Sequence, residues 1–162
     1  MSDLMRNITN FIYNTKSKRK HFSESFPNEK IILCDASKAV KLKRDKNPEY
    51  GKEWIVSKRC SLIISDKQIN AGNWIINNSD INNAELIKFK TIYGKAMVLK
   101  INTNNDEHYQ FGLQYNKTLE KQDIFSIKIS EQKLKLSLLS IMIRLVFFIL
   151  LIYYLLEKLF LK

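Results

Sequence analysis

Between residues 30 and 115 the apolar side chains of this chain recur at every second position, and that period constrains the fold more than any other feature. Tyr109, Phe111 and Leu113 alternate with His108, Gln110, Gly112 and Gln114, the pattern of a half-buried strand. Met97, Leu99 and Ile101 precede it in the same rhythm, with Asn102–Glu107 as the polar turn between. Cys60, Leu62 and Ile64 form another inward set. Ser65-Asp66-Lys67 then turns the chain into Gln68–Ala71, and Gly72-Asn73 leads to Trp74-Ile75-Ile76. Ile31–Leu42 reads as the first strand and Trp54–Val56 as the start of the second. Ala84–Ile92 reads as a strand whose inward face switches near Leu86-Ile87 through a bulge. Tyr115–Asp123 reads as a short helix or loop. Phe125, Ile127 and Ile129 predict one more strand, with a helix from Thr118 onward as the competing reading. Short antiparallel strands joined by tight turns imply a small sheet curled into a sandwich or barrel.

The order of these strands carries a resemblance. Cys60-Ser61-Leu62-Ile63-Ile64-Ser65-Asp66-Lys67 is similar to the strand, Thr/Ser-Asp-Lys, strand hairpin of bacterial pleckstrin-homology-like (PH-like) and GRAM-like domains. Gly72-Asn73-Trp74 follows, then Ser79-Asp80-Ile81, which resembles that family's entry to its next strand without the frequent proline. Lys100-Ile101-Asn102-Thr103 and Tyr109-Gln110-Phe111-Gly112-Leu113 resemble its closing hairpin. The resemblance covers residues 29–115 and implies a partly open barrel of about seven strands. Such domains usually end in a capping helix, from which the strand-like Phe125–Ile129 departs.

The C-terminal segment asks for a different environment. Leu136 to Leu156 contains one charge, Arg144, and Leu145 to Leu156 is apolar without interruption. A hydrocarbon core needs about 20 residues at 1.5 Å rise, so 136–161 is expected to be a transmembrane helix, with Arg144 snorkelling at its entry. The alternatives are a buried helix or one lying on the domain, but no polar face is present. Lys133 and Lys135 precede the stretch and Arg144 stands near its entry, which by the positive-inside rule favours a domain on the cytoplasmic side and makes the stretch a tail anchor.

At the other end, Leu4, Met5, Ile8, Phe11 and Ile12 form one helical stripe, followed by Lys16, Lys18, Arg19 and Lys20. A stripe beside a basic cluster is the composition of an interfacial helix on anionic lipid. The plainer reading is a helix packed on its own domain with a solvated basic tail. The first segment does not read as a signal peptide, since its longest apolar run is Phe11-Ile12-Tyr13 and its charges follow rather than precede it.

Net charge is +11, of which the two ends, 1–22 and 131–162, hold +7. Lys, Ile and Asn, 22, 21 and 15 residues, all have A/T-rich codons, so the lysine count alone does not argue for an anionic partner. Distribution argues better. Lys38, Lys41, Lys43, Arg44, Lys46, Lys52, Lys58 and Arg59 crowd the first hairpin against only Asp45, Glu49 and Glu53. In lipid-binding relatives of the family resembled, the equivalent hairpin holds headgroup phosphates, and each basic residue near an anionic surface contributes about 1 kcal/mol. Nucleic acid is the weakest partner, because only Tyr50 and Trp54 interleave as aromatics.

No chemistry competes with binding. His21 and His108 stand apart, and neither Cys34 nor Cys60 has a ligand at metal spacing, so both cysteines read as reduced strand residues. Gly51, Gly72, Gly94 and Gly112 are isolated, which excludes a phosphate loop. The expectation is therefore a mainly β, non-enzymatic protein without cofactor or metal. It has a basic amphipathic helix and tail (1–22), a PH-like partly open antiparallel β-barrel (29–130) and a transmembrane helix (136–161). It contacts anionic lipid headgroups or a membrane-associated partner with the hairpin residues, a solvated face being the plainer reading of these, and the membrane surface with Lys16, Lys18, Arg19, Lys20 and Arg144. The alternative is an adaptor that holds a peptide or a membrane protein along a sheet edge or hairpin.

Overall fold

The computed structural model describes residues 2–50, 52–91, 94–133, 135–136 and 138–160. Two helices, α1 (Ser2–Ile12) and α2 (Thr15–Ser25), precede the sheet. The basic cluster expected as a tail is therefore helical. Asn14 turns the chain between them with φ 52°, a left-handed conformation that asparagine tolerates better than most residues. The strands follow as β1 (Ile31–Leu42), β2 (Glu49–Tyr50), β3 (Lys58–Ser65), β4 (Gln68–Ala71), β5 (Trp74–Asn77), β6 (Ile81–Thr91), β7 (Gly94–Thr103) and β8 (His108–Gln114). A four-residue helix, α3 (Lys52–Ile55), interrupts them after β2. Then come α4 (Lys117–Lys121), β9 (Ile127–Glu131), β10 (Lys135–Leu136) and α5 (Leu138–Phe160).

Eight strands form one sheet in the order β5-β4-β3-β1-β8-β7-β6-β9, curled into an open half-barrel. β5 and β9 are its edges. Seven strands pair antiparallel, but β9 joins β6 in parallel, a departure from the all-antiparallel barrel expected. α4 makes this possible: it carries the chain across the end of the sheet, and its buried Leu119 closes the core. β2 and β10 form a separate two-residue parallel pair.

Register assigns the faces, because directly opposed residues share one. On the inner face Leu62, Ile64, Ile69, Leu86, Leu99, Ile101 and Phe111 are fully buried in one cluster. The outer face carries Cys34, Ala36 and Lys38 of β1, with Ser61 and Arg59 opposite the last two. The helices α1 and α2 pack on this outer face, with β1 beneath both. The Ser65-Asp66-Lys67 turn is as expected: Ser65 Oγ accepts from the Lys67 and Gln68 amides at 3.2 and 3.0 Å.

Three expectations are corrected. Trp54–Val56 does not begin a strand; Trp54 and Ile55 belong to α3, and the strand starts at Lys58. Leu86 and Ile87 mark no bulge, for both are fully buried on opposite faces. Leu86 lies in the main core, and Ile87 lies in a smaller cluster with Phe89, Val98 and the partly buried Trp54. The irregularity of β6 lies at Ile81/Asn83 instead, and Ile92 lies outside the described residues.

The transmembrane helix expected at 136–161 is the third correction. Among the described residues no helix is long and apolar enough to cross a membrane. α5 is 23 residues long, but Arg144 and Glu157-Lys158 confine its uninterrupted apolar run to Leu145–Leu156. Twelve residues rise about 18 Å, against a hydrocarbon core of about 30 Å. Leu145, Phe147, Phe148 and Leu151 of this run are all exposed.

Candidate basic cleft on the outer face

The outer-face cleft is built by one helix face and one strand face. Lys18, His21, Phe22 and Ser25 stand at i, i+3, i+4 and i+7 along α2, a single stripe. Arg59, Ser61 and Ile63 stand at alternate positions of β3 and share its outer face. Phe22 is buried between the two and packs its ring 4.8 Å from that of Phe26, which holds the helix at a fixed distance from the sheet. The space left between them is about 620 Å³. Ile12 and Tyr13 reach it from the α1–α2 elbow, and Asn70 and Gly72 from β4 and its turn.

Electrostatically the cleft is one-sided. Lys18, His21, Lys58 and Arg59 line it, and no aspartate or glutamate does. Lys58 stands only at the rim: it lies opposite Ala39, on the other face of β3 from Arg59, and its Nζ is 5.8 Å from the Trp74 ring centroid, a cation–π contact. Ser61 Oγ is buried, with no hydrogen-bond partner among the described residues. A buried hydroxyl without a partner costs free energy that an incoming acceptor can recover. Cys60, between Arg59 and Ser61, turns its side chain to the core face instead, and burial pushes its thiol up to about 11 against the opposing pull of Lys58.

The eight hairpin cations do not act as one patch. Arg59 enters the cleft, with Lys58 at its rim. Lys41 is taken by Glu107, whose hydrogen bond raises the lysine above its ordinary value and lowers the carboxyl. Lys46 bonds Glu53 at 2.5 Å and lies 3.9 Å from Glu49. Lys43 and Arg44 are exposed in the loop after β1, and Lys38 lines a different cavity. The side chain of Lys52 lies outside the described residues. Of the membrane-surface set, Lys18 joins the cleft, while Lys16, Arg19 and Lys20 are exposed on α2, Lys20 lying 3.9 Å from Glu24. Arg144 is exposed on α5.

His21 and Ser61 were not among the sequence candidates. His21 follows Lys18 at i+3, a helical spacing that the reading of the cluster as a tail concealed. Ser61 carries no signal in sequence, because its lack of a partner is a property of packing.

α1 presents its faces the other way round from the plainer sequence reading. Its polar Asn10 turns to the sheet, donating to Asp35 Oδ1 at 2.8 Å and accepting from the Ala36 amide at 2.7 Å. The apolar stripe faces outward, with Phe11 87% and Ile12 68% exposed. Comparison with known proteins found no matching family model, no matching curated protein and no matching solved structure.

Proposed function

We propose that this chain is a non-enzymatic PH-like module that attaches to the surface of an anionic membrane through its outer-face cleft. Seven antiparallel strands in the order β5-β4-β3-β1-β8-β7-β6, in a partly open barrel, support the PH-like reading. One observation carries the membrane reading: the exposed stripe of α1 runs directly into a carboxylate-free cationic cleft, since Ile12 belongs to both. Apolar side chains beside lysines are the composition of an interfacial contact, in which the first enter the acyl boundary and the second hold phosphates. Lys18, Lys58 and Arg59 contribute about 1 kcal/mol each near an anionic surface. Burying Phe11 and Ile12 adds roughly 1.5–3 kcal/mol apiece. The sum describes a reversible, salt-sensitive attachment.

Co-sedimentation with vesicles tests this. Binding to vesicles containing phosphatidylserine, none to neutral phosphatidylcholine, and a steep loss between 50 and 200 mM salt are the expected results. Lys58→Glu with Arg59→Glu removes the binding, while Phe11→Ser weakens it with little change in salt dependence. Equal binding to neutral vesicles, or none to anionic ones, overturns the proposal. A second reading, an adaptor for an extended peptide, is favoured by the edge strand β5, where Ile75 is 59% exposed. Such docking survives both the charge reversals and high salt.

A further inference from the structure

Tyr13 is a wall of two cavities. It lines the basic cleft, and it also lines a separate space of about 310 Å³ on the same face of the sheet, between α1 and α3. Ala36, Phe89, Val98 and the Trp54 ring make that space mainly apolar. Gly112 forms its floor under Trp54, where a Cβ would stand 2.6 Å from Trp54 Cζ3. One cation lines it: Lys38, half-buried and without an ion-pair partner among the described residues. Glu49 lines it too, but lies 3.9 Å from Lys46.

The two spaces differ as the two ends of a lipid differ. We infer that the apolar cavity takes the acyl chain of a single-chain phosphate amphiphile whose phosphate lies in the cleft. This rests on the cleft being an anion site. Arg59 and Lys18 hold the phosphate oxygens by charge-assisted hydrogen bonds, and Ser61, turned about χ1, supplies the donor that now has no acceptor. The chain passes Tyr13 into the apolar space, and Lys38 donates to the ester carbonyl where the chain enters. The volume selects one chain rather than two, since it lies at the low end of the roughly 300–1,000 Å³ of ligand cavities.

The test uses the full chain and two probes, glycerol phosphate and a monoacyl glycerol phosphate brominated along its chain, kept below micelle formation. Bromine quenches nearby indole. The expected result is tighter binding of the amphiphile by at least tenfold, with quenching that Trp54→Phe removes. Ala96→Phe, which fills the cavity, lowers amphiphile affinity about tenfold and leaves glycerol phosphate unchanged. Equal affinity for the two probes without quenching overturns the acyl site and leaves the cleft standing. Failure of both probes together with failure to bind anionic vesicles overturns the cleft, and the acyl site with it.

Discussion

The side chain of Asn10 stands 2.8 Å from the carboxylate of Asp35, and through that contact α1 is fastened to the centre of the sheet. The position is not accidental. β8 pairs with β1 only from Ser37 onward, so the Ala36 amide has no strand partner on that side, and Asn10 Oδ1 accepts from it at 2.7 Å. Asp35 in turn accepts from Asn116, the residue that caps α4. One buried carboxylate thus ties both helical appendages to β1. Asn10→Ala leaves a buried amide unsatisfied and strips one bond from Asp35, which costs about 1–3 kcal/mol. The urea midpoint should fall with an unchanged m-value. Vesicle binding should weaken at the same time, because α1 carries the exposed stripe and adjoins the cleft wall.

Acid stability should depend on Asp45 more than on Glu107. Burial pushes the Asp45 carboxyl up, but hydrogen bonds from Lys100 and Asn102 outweigh it, and its pKa lies below the ordinary 3.8. A depressed carboxyl contributes stability that is full above its unfolded value and is lost as pH falls through the folded one. For Asp45 that window lies below 3.8. The hydrogen bond from Lys41 places Glu107 in the same position below 4.5. The two carboxylates are about equally exposed, Asp45 43% and Glu107 40%, but their partners differ, for the Lys100 side chain is only 10% exposed and that of Lys41 42%. Asp45→Asn strands a nearly buried ammonium and should cost about 1–3 kcal/mol at neutral pH, with a shallower acid limb. Glu107→Gln should cost under about 1 kcal/mol. Urea titrations between pH 2.5 and 7 compare them, and equal costs would contradict the assignment.

Gly112 is needed for closeness rather than for its backbone freedom. Gly112→Ala places a methyl 2.6 and 2.8 Å from two carbons of the Trp54 ring. The ring is large and must move as a whole, taking α3 with it. A destabilisation of about 1–3 kcal/mol is expected. Tryptophan emission should shift to the red as Trp54 leaves its site against Phe89 and Val98, and an unshifted spectrum at lowered stability would place the strain elsewhere.

The strands were legible wherever one face was apolar and the other polar. Ile31–Leu42 and Gln68–Ala71 were read to the residue. Period 2 loses its meaning where both faces are buried, which is why Leu86-Ile87 looked like a switch of face. Trp54-Ile55-Val56 is apolar and short, and such a run does not distinguish strand from helix. β9 was legible as a strand, but its parallel pairing depends on the path of α4, which alternation does not encode. In the C-terminal segment composition was read over 21 residues, whereas the uninterrupted apolar run is the twelve between Arg144 and Glu157. The cleft was the least legible feature. Lys18 and Arg59 were each visible as members of basic clusters, but only the packing of Phe22 and Ile63 brings those clusters to one cavity.

The two cysteines report on that cavity from opposite sides. Burial raises both thiols to about 11, so at pH 8 about one in a thousand is the reactive thiolate. Alkylation by iodoacetamide should therefore be slow and should accelerate about tenfold per pH unit up to pH 10. Cys34 shares the outer face with Ile63 and donates to the Thr15 carbonyl at the start of α2, whereas Cys60 stands opposite Ser37 with its side chain packed against the inner core. Phosphatidylserine vesicles should slow the modification of Cys34, under α2 on the cleft side, and leave Cys60 unchanged, as read by mass analysis of the alkylated peptides. The comparison is internal, since both thiols experience the same pH, reagent and protein stability. Equal slowing of both would mean that lipid acts by stabilising the whole fold. Slowing of neither would mean that the anionic surface makes its contact away from Lys58 and Arg59, and the cleft would lose its assigned role.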